Sequence, residues 1–95
     1  GSKTYSDSFL KSLEELDHNI REKASRTRTA TITNLKPEIQ KFAQLLEVSA
    51  DAIINQDKYL KKSLLKKYHP DRNIGDQVAE EIYKNVIILF ELRKS

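Results

Sequence analysis

The chain has 95 residues, no cysteine and a formal net charge of +3. This length suits one small domain, and the lack of cysteine excludes disulfides and thiolate chemistry. No apolar run approaches the roughly 20 residues of a membrane-spanning helix, and no apolar signal region begins the chain. Residues 56–73 hold six bases and two acids, a charge of +4, so the remainder carries −1. The concentrated basic charge would attract an acidic partner.

The scarcity of glycine and proline predicts an all-α fold, a small helical bundle. The first helix is expected at about 6–24, with Ser6 as its cap and Tyr5 stapled onto Leu10. One face of this helix carries an apolar stripe. The stripe consists of Phe9, Leu13, Leu16, Ile20 and Ala24. We expect it to pack within the chain against the last helix, with dimerisation as the alternative.

Threonine and arginine interrupt the helical pattern in the segment SRTRTATITN, residues 25–34. A period of two indicates extended chain, and without a partner strand we expect a flexible linker here. The second helix is expected at about 35–48, with Asn34 as its cap and Pro37 in its first turn. Turn or capping residues follow it: Ser49, Asp51 and Asn55.

The third helix is expected at about 56–68 and is basic on the face opposite its leucines. Its basic residues are Lys58, Lys61, Lys62, Lys66 and Lys67. Pro70 ends this helix and favours extended backbone at His69, and Gly75 predicts a turn. The last helix is expected at about 77–93, and its wide apolar surface indicates burial between two neighbours.

The sequence carries no enzyme motif. Gly75 is the only glycine inside the chain, so a glycine-rich phosphate loop is absent, and no nucleophile motif surrounds His18 or His69. His69 and Asp71 are two candidate metal ligands, but a zinc site needs about three protein ligands. We therefore predict that the chain is not an enzyme and has no catalytic residue, metal site or cofactor.

The stretch KKYHPDRN, residues 66–73, allows two interpretations on physical grounds. In the first, the lysines orient an acidic partner and a proline-fixed loop presents His69 and Asp71 to it. In the second, Asp71 and Asn73 are turn residues and His69 only ends a helix. Nucleic-acid binding by the lysines is a further hypothesis, disfavoured because no base-reading residues are interleaved with them.

This stretch resembles the signature of the J-domain, the Hsp70-stimulating module of the DnaJ/Hsp40 co-chaperones. The shared context is a lysine-rich helix ending at Tyr68, the tripeptide His69-Pro70-Asp71 and the later stretch AEEIYKNV, residues 79–86. FAQLLEVSADA, residues 42–52, is similar to a degenerate first helix of the family. The resemblance covers about 42–93 and is closest to divergent J-domains embedded in large proteins such as sacsin.

Three features depart from the family pattern. Phe42-Ala43 stands where the family's first helix usually opens with Asp-Tyr-Tyr. Lys61 stands where an aromatic residue is common, with Tyr59 and Leu60 nearby as candidates to replace its packing. Leu46-Glu47-Val48 stands where the family usually has Leu-Gly-Val. These departures keep open the alternative of a J-like interaction scaffold that does not stimulate Hsp70.

The resemblance implies a J-domain-like helical domain at 35–95, preceded by an N-terminal helix and linker at 3–34, while residues 1–2 resemble a cloning scar. It implies docking on ATP-bound Hsp70 and stimulation of its ATPase. The implied Hsp70-binding residues are His69, Pro70, Asp71, Arg72 and Asn73 with Lys58, Lys61, Lys62, Lys66 and Lys67, and the secondary contacts are Tyr83 and Lys84. A client or host complex is expected at the N-terminal helix or in missing regions of a longer parent, with no membrane partner and a cytoplasmic location.

Overall fold

The computed structural model describes residues 5–94, so the expected cloning scar at residues 1–2 lies outside the described part. Within that part the chain forms five helices and one isolated parallel bridge, which confirms the predicted all-α bundle. The helices are α1 (Asp7–Ala24), α2 (Ile32–Leu46), α3 (Ala50–Ile54), α4 (Lys58–Lys67) and α5 (Gln77–Phe90). No helix in the described part combines the length and hydropathy needed to cross a membrane.

The first helix forms where the sequence predicts it, because its cap is local. The Ser6 hydroxyl accepts from the Phe9 amide at 3.1 Å. The staple differs from the prediction: Tyr5 stacks on Phe9 with 5.2 Å between ring centroids, whereas Leu10 stays 38% exposed. Leu10 lies one residue further round the helix, and this rotation turns it away from Tyr5. Three residues of the stripe, Leu13, Leu16 and Ile20, are buried within the chain, and α1 packs on α2 as well as on the expected partner α5.

The second helix begins at Ile32, three residues before the predicted start. Thr31, not Asn34, is its cap, and the Thr31 hydroxyl accepts from the Asn34 amide at 3.3 Å. The segment that precedes α2 is fixed where it meets the helix. The Ile32 amide donates to the Arg93 carbonyl at 3.0 Å, and this bond belongs to the parallel bridge between Thr31 and Arg93. The expected linker therefore has a pairing partner, which comes from the other end of the chain.

The region between α2 and α4 contains a short helix where only turn or capping residues were predicted. α2 ends at Leu46, two residues before the predicted end, and its cap Glu47 has the left-handed conformation with φ 59°. Ser49 then caps α3, and its hydroxyl accepts from the Ala52 amide at 3.4 Å. The predicted start of the next helix, Gln56, has φ 53° and lies outside it. Asp57 caps α4, so this helix begins at Lys58.

The last helix is capped by Asp76, whose Oδ1 accepts from the amides of Val78 and Ala79 at 3.0 and 3.2 Å. It ends at Phe90 rather than at 93, because Arg93 joins the bridge to Thr31. α5 packs on α1 and on α4, which explains its wide apolar surface. The fully buried side chains of the core include Ile20, Leu35, Ile39, Phe42, Ile53, Ile82, Val86 and Leu89. This core holds α4 and α5 together and presents the loop between them at the surface.

Candidate docking site

The α4–α5 loop, residues 68–76, is ordered by its own hydrogen bonds. The amides of Arg72 and Asn73 both donate to the His69 carbonyl, at 3.0 and 3.1 Å. The Asn73 side-chain amide donates to the carbonyls of Lys67 and His69, at 2.9 and 3.0 Å. These bonds satisfy carbonyls that the end of α4 would otherwise leave without partners. Asn73 therefore supports the loop.

The His69 ring has a fixed orientation at the start of this loop. Its Nδ1 accepts from the Asp71 amide at 3.1 Å, so the neutral ring carries its proton on Nε2. The ring also meets Tyr83 of α5 edge to face, with 5.4 Å between centroids. The side chain of Asp71 is 93% exposed, with Oδ2 3.8 Å from His69 Nδ1. The loop thus holds the histidine in place and leaves the carboxylate facing solvent.

The lysines of α4 form an exposed basic face. Lys58, Lys62 and Lys66 recur every fourth residue and are exposed, and Lys67 is exposed beside them. Lys61 is half-buried, so it contributes less to this face. Among the ion pairs of residues 5–94, none involves a lysine of α4. The positive charge of this face is therefore available to a partner.

Tyr59 is an exposed aromatic residue that the sequence reasoning did not assign to the site. Leu60 packs against the core, but Tyr59 is 87% exposed, so only Leu60 can replace the packing of the family's aromatic residue. The helical repeat could have shown that Tyr59 lies on the basic face, because Tyr59 precedes Lys62 by three residues and Lys66 by seven. Ile74 in the loop is 89% exposed and was also missed.

The two proposed secondary contacts have different surroundings. Tyr83 is half-buried and packs on the His69 ring, so it belongs to the framework of the loop. Lys84 is exposed and pairs with Glu80 on its own helix at 3.4 Å. Within residues 5–94 no three potential metal ligands cluster, and His69 with Asp71 gains no third ligand.

No family model matches the chain, and no solved structure matches it. Over 51 residues it is 47% identical to "Chaperone protein DnaJ" of Wolbachia sp. subsp. Drosophila simulans (strain wRi), 45% to that of Wolbachia pipientis wMel and 43% to that of Nitrosomonas europaea. Each match covers 54% of this chain and 14% of the relative. The likeness to sacsin stays a prediction. This similarity over about half of the chain, together with the helical fold, supports an assignment to the J-domain family of the DnaJ chaperones.

Proposed function

We propose that the chain is a co-chaperone domain that docks on the ATP-bound form of an Hsp70 and stimulates its ATPase. The observation that supports this most is the conformation of the α4–α5 loop. His69 is fixed by the Asp71 amide and the Tyr83 ring, while the Asp71 side chain remains 93% exposed. A short carboxylate in a preset position loses little entropy on binding and suits an arginine of the partner.

The basic face of α4 steers the encounter in this proposal. Exposed lysines without ion pairs accelerate association with an acidic surface, and salt screens this attraction. Stimulation requires that the chain bind one conformational state of Hsp70 better than another, because only differential affinity shifts such an equilibrium. In this proposal the chain acts as a regulator of an ATPase rather than as an enzyme.

A single-turnover ATPase assay tests the proposal, using a purified bacterial Hsp70 and a purified eukaryotic cytosolic Hsp70. Asp71→Asn and His69→Gln should abolish most of the stimulation given by the wild type. Asp51→Asn is the matched control, because Asp51 is also exposed but lies on α3. If the wild type stimulates neither Hsp70 more than Asp71→Asn does, the proposal is wrong.

The interaction scaffold remains a second candidate, favoured by the partial burial of Lys61 where the family commonly has an aromatic residue. A scaffold would bind partners and leave the ATPase rate unchanged, so the same assay separates the two functions. Nucleic-acid binding would instead appear as a complex with DNA or RNA at low salt that Lys62→Glu with Lys66→Glu removes. Client recruitment and the cytoplasmic location stay predictions.

A further inference from the structure

An apolar groove lies between α1 and the start of α5. Its volume is about 340 Å³, and its apolar lining consists of Leu10, Leu13 and Val78. Three acidic residues also line it: Glu14, Asp17 and Glu81. The partial exposure of Leu10 follows from its position in this groove, because α1 has no neighbour over it. The groove therefore combines an apolar surface with acidic sides.

The groove keeps an acidic excess after its internal ion pairs are counted. Arg21 pairs with Asp17 at 2.8 Å and with Glu81 at 3.0 Å. Glu14 is exposed and makes no ion pair within residues 5–94. One arginine thus balances two of the three carboxylates while the third is unpaired, so the groove favours a cationic occupant with an apolar side chain.

The basic face of α4 has the complementary character. Tyr59 is a large aromatic side chain that is 87% exposed, and Lys62 and Lys66 follow it along the same face. An aromatic ring next to lysines can cover an apolar surface while the ammonium groups reach carboxylates at its edge.

The groove and the basic face cannot meet within one molecule. On α5, Glu81 and Asn85 contact α1, through Arg21 and Asp17 respectively. Tyr83 contacts the loop that follows α4. At about 100° per residue, the mean direction of Glu81 and Asn85 differs from that of Tyr83 by roughly 180°. The groove lies on the α1 side of α5, and α4 lies on the other side.

We infer that the groove binds the basic face of α4 from a second copy of this chain. Tyr59 of the second copy covers Leu10, and its lysines approach Glu14 and Glu81. Because the groove and the basic face lie on opposite sides of the molecule, copies associate head to tail, and each copy can still offer its free surface to a further copy. The contact is small and charged, so the association is weak and weakens with salt. If α4 also docks on Hsp70 as proposed above, a basic face that occupies a groove cannot dock on Hsp70 at the same time.

Sedimentation velocity of the full 95-residue chain, over a range of concentrations at low and high salt, tests this inference. The wild type should associate at low salt and dissociate at high salt. Glu14→Lys and Tyr59→Ser should each weaken association by about tenfold or more, equivalent to about 1.4 kcal/mol. Glu15→Lys is the matched control, because Glu15 is an exposed acid on the same helix that lines the α1–α2 side. It should associate as the wild type does.

A charge exchange makes the test specific to the two surfaces. Glu14→Lys and Lys62→Glu should each self-associate poorly, and an equimolar mixture of the two should recover association. Both positions are exposed, so circular dichroism should confirm intact folds. The inference is overturned if the wild type is monomeric at every concentration at low salt. It is also overturned if Glu15→Lys weakens association as much as Glu14→Lys, or if the mixture shows no recovery. None of these readouts involves Hsp70, so they are independent of the ATPase assay.

Discussion

The phenolic oxygen of Tyr5 lies 3.2 Å from Oδ2 of Asp76, 71 positions later in the chain. The other carboxylate oxygen of Asp76 caps α5. Asp76 also closes the α4–α5 loop, where its amide donates to the Asn73 carbonyl at 3.0 Å. Tyr5, which lies just before the Ser6 cap of α1, is therefore hydrogen-bonded to the last residue of the candidate docking loop.

Replacing Tyr5 by phenylalanine should cost about 1 kcal/mol of unfolding free energy at neutral pH, because one hydrogen bond to a carboxylate is lost. Burial, together with the charge and hydrogen bond of Asp76, raises the pKa of Tyr5 to about 12. An unfolded tyrosine has a pKa of about 10, so between about pH 10 and 12 the folded chain keeps the phenolic proton of Tyr5 that the unfolded chain loses. This stabilisation is complete below about pH 10 and is lost as the pH rises through 12.

Urea unfolding of both proteins at about pH 8 and at about pH 11 measures this linkage. The difference between the wild type and Tyr5→Phe should be smaller at the higher pH. Tyr59→Phe is the control, because that side chain is 87% exposed and its removal should leave stability unchanged at both pH values. Equal stability of Tyr5→Phe and the wild type near neutral pH would contradict the prediction.

Replacing Asn73 by alanine should destabilise the chain by about 1–2 kcal/mol, because the carbonyls of Lys67 and His69 lose their side-chain donor. The loop would also be less well held, so any stimulation of Hsp70 should fall further than stability does. Chemical unfolding and the ATPase assay measure the two effects. Arg72→Ala should leave stability unchanged, since Arg72 is exposed. A stable Asn73→Ala variant with full stimulation would be inconsistent with this role.

Glu47→Gly should stabilise the chain by about 1 kcal/mol. Glu47 caps α2 with φ 59°, a conformation that strains residues with a Cβ and that glycine adopts freely. Gln56 is the informative comparison, since it has φ 53° but its side-chain amide donates to the Leu92 carbonyl at 2.8 Å. Gln56→Gly relieves the same strain and loses this bond, so it should bring no gain. Thermal unfolding of both variants checks the contrast, and a less stable Glu47→Gly would refute it.

The parts of the fold that depend on neighbouring residues could be predicted from the sequence. Ser6 caps α1 through an amide three residues away, so the start of that helix was correct. The start of α2 was wrong because Arg93, at the other end of the chain, positions Thr31 and the residues beside it. The helix α3 was missed because five residues show too little periodicity to separate a helix from a turn.

The candidate site also contains residues that could be predicted from the sequence and residues that could not. The loop residues were identified by the resemblance to the J-domain family. Local physical reasoning alone could not decide whether this loop is a docking site or a simple turn. Tyr59 was not assigned to the site because the resemblance gave no guidance there, although its helical phase places it on the same face as Lys62 and Lys66. Asn85 is fully buried, and Glu38 nearly so, although both read as ordinary surface positions of amphipathic helices. Their burial results from the packing of α1, which lies outside the region of resemblance.

Glu38 of α2 is 6% exposed and pairs with Lys23 of α1, so this ion pair joins the N-terminal helix to the rest of the bundle. Replacing Lys23 by methionine leaves a buried carboxylate without its cation, which typically costs 3–5 kcal/mol. The Lys23 side chain is 40% exposed, so solvent reduces the loss and we expect about 2 kcal/mol.

The double variant Lys23→Met with Glu38→Leu should recover most of that stability. Glu38 Oε2 is buried without a hydrogen-bond partner within residues 5–94, so leucine removes an unfavourable group together with the pair. A double-mutant cycle by urea unfolding measures the coupling between the two positions. Additive effects would show that the pair does not hold α1 in place. Coupling of about 1 kcal/mol or more would show that the ion pair helps to hold α1 against α2. Lys23 of α1 then neutralises the buried carboxylate of Glu38, which has no cationic partner on α2 itself.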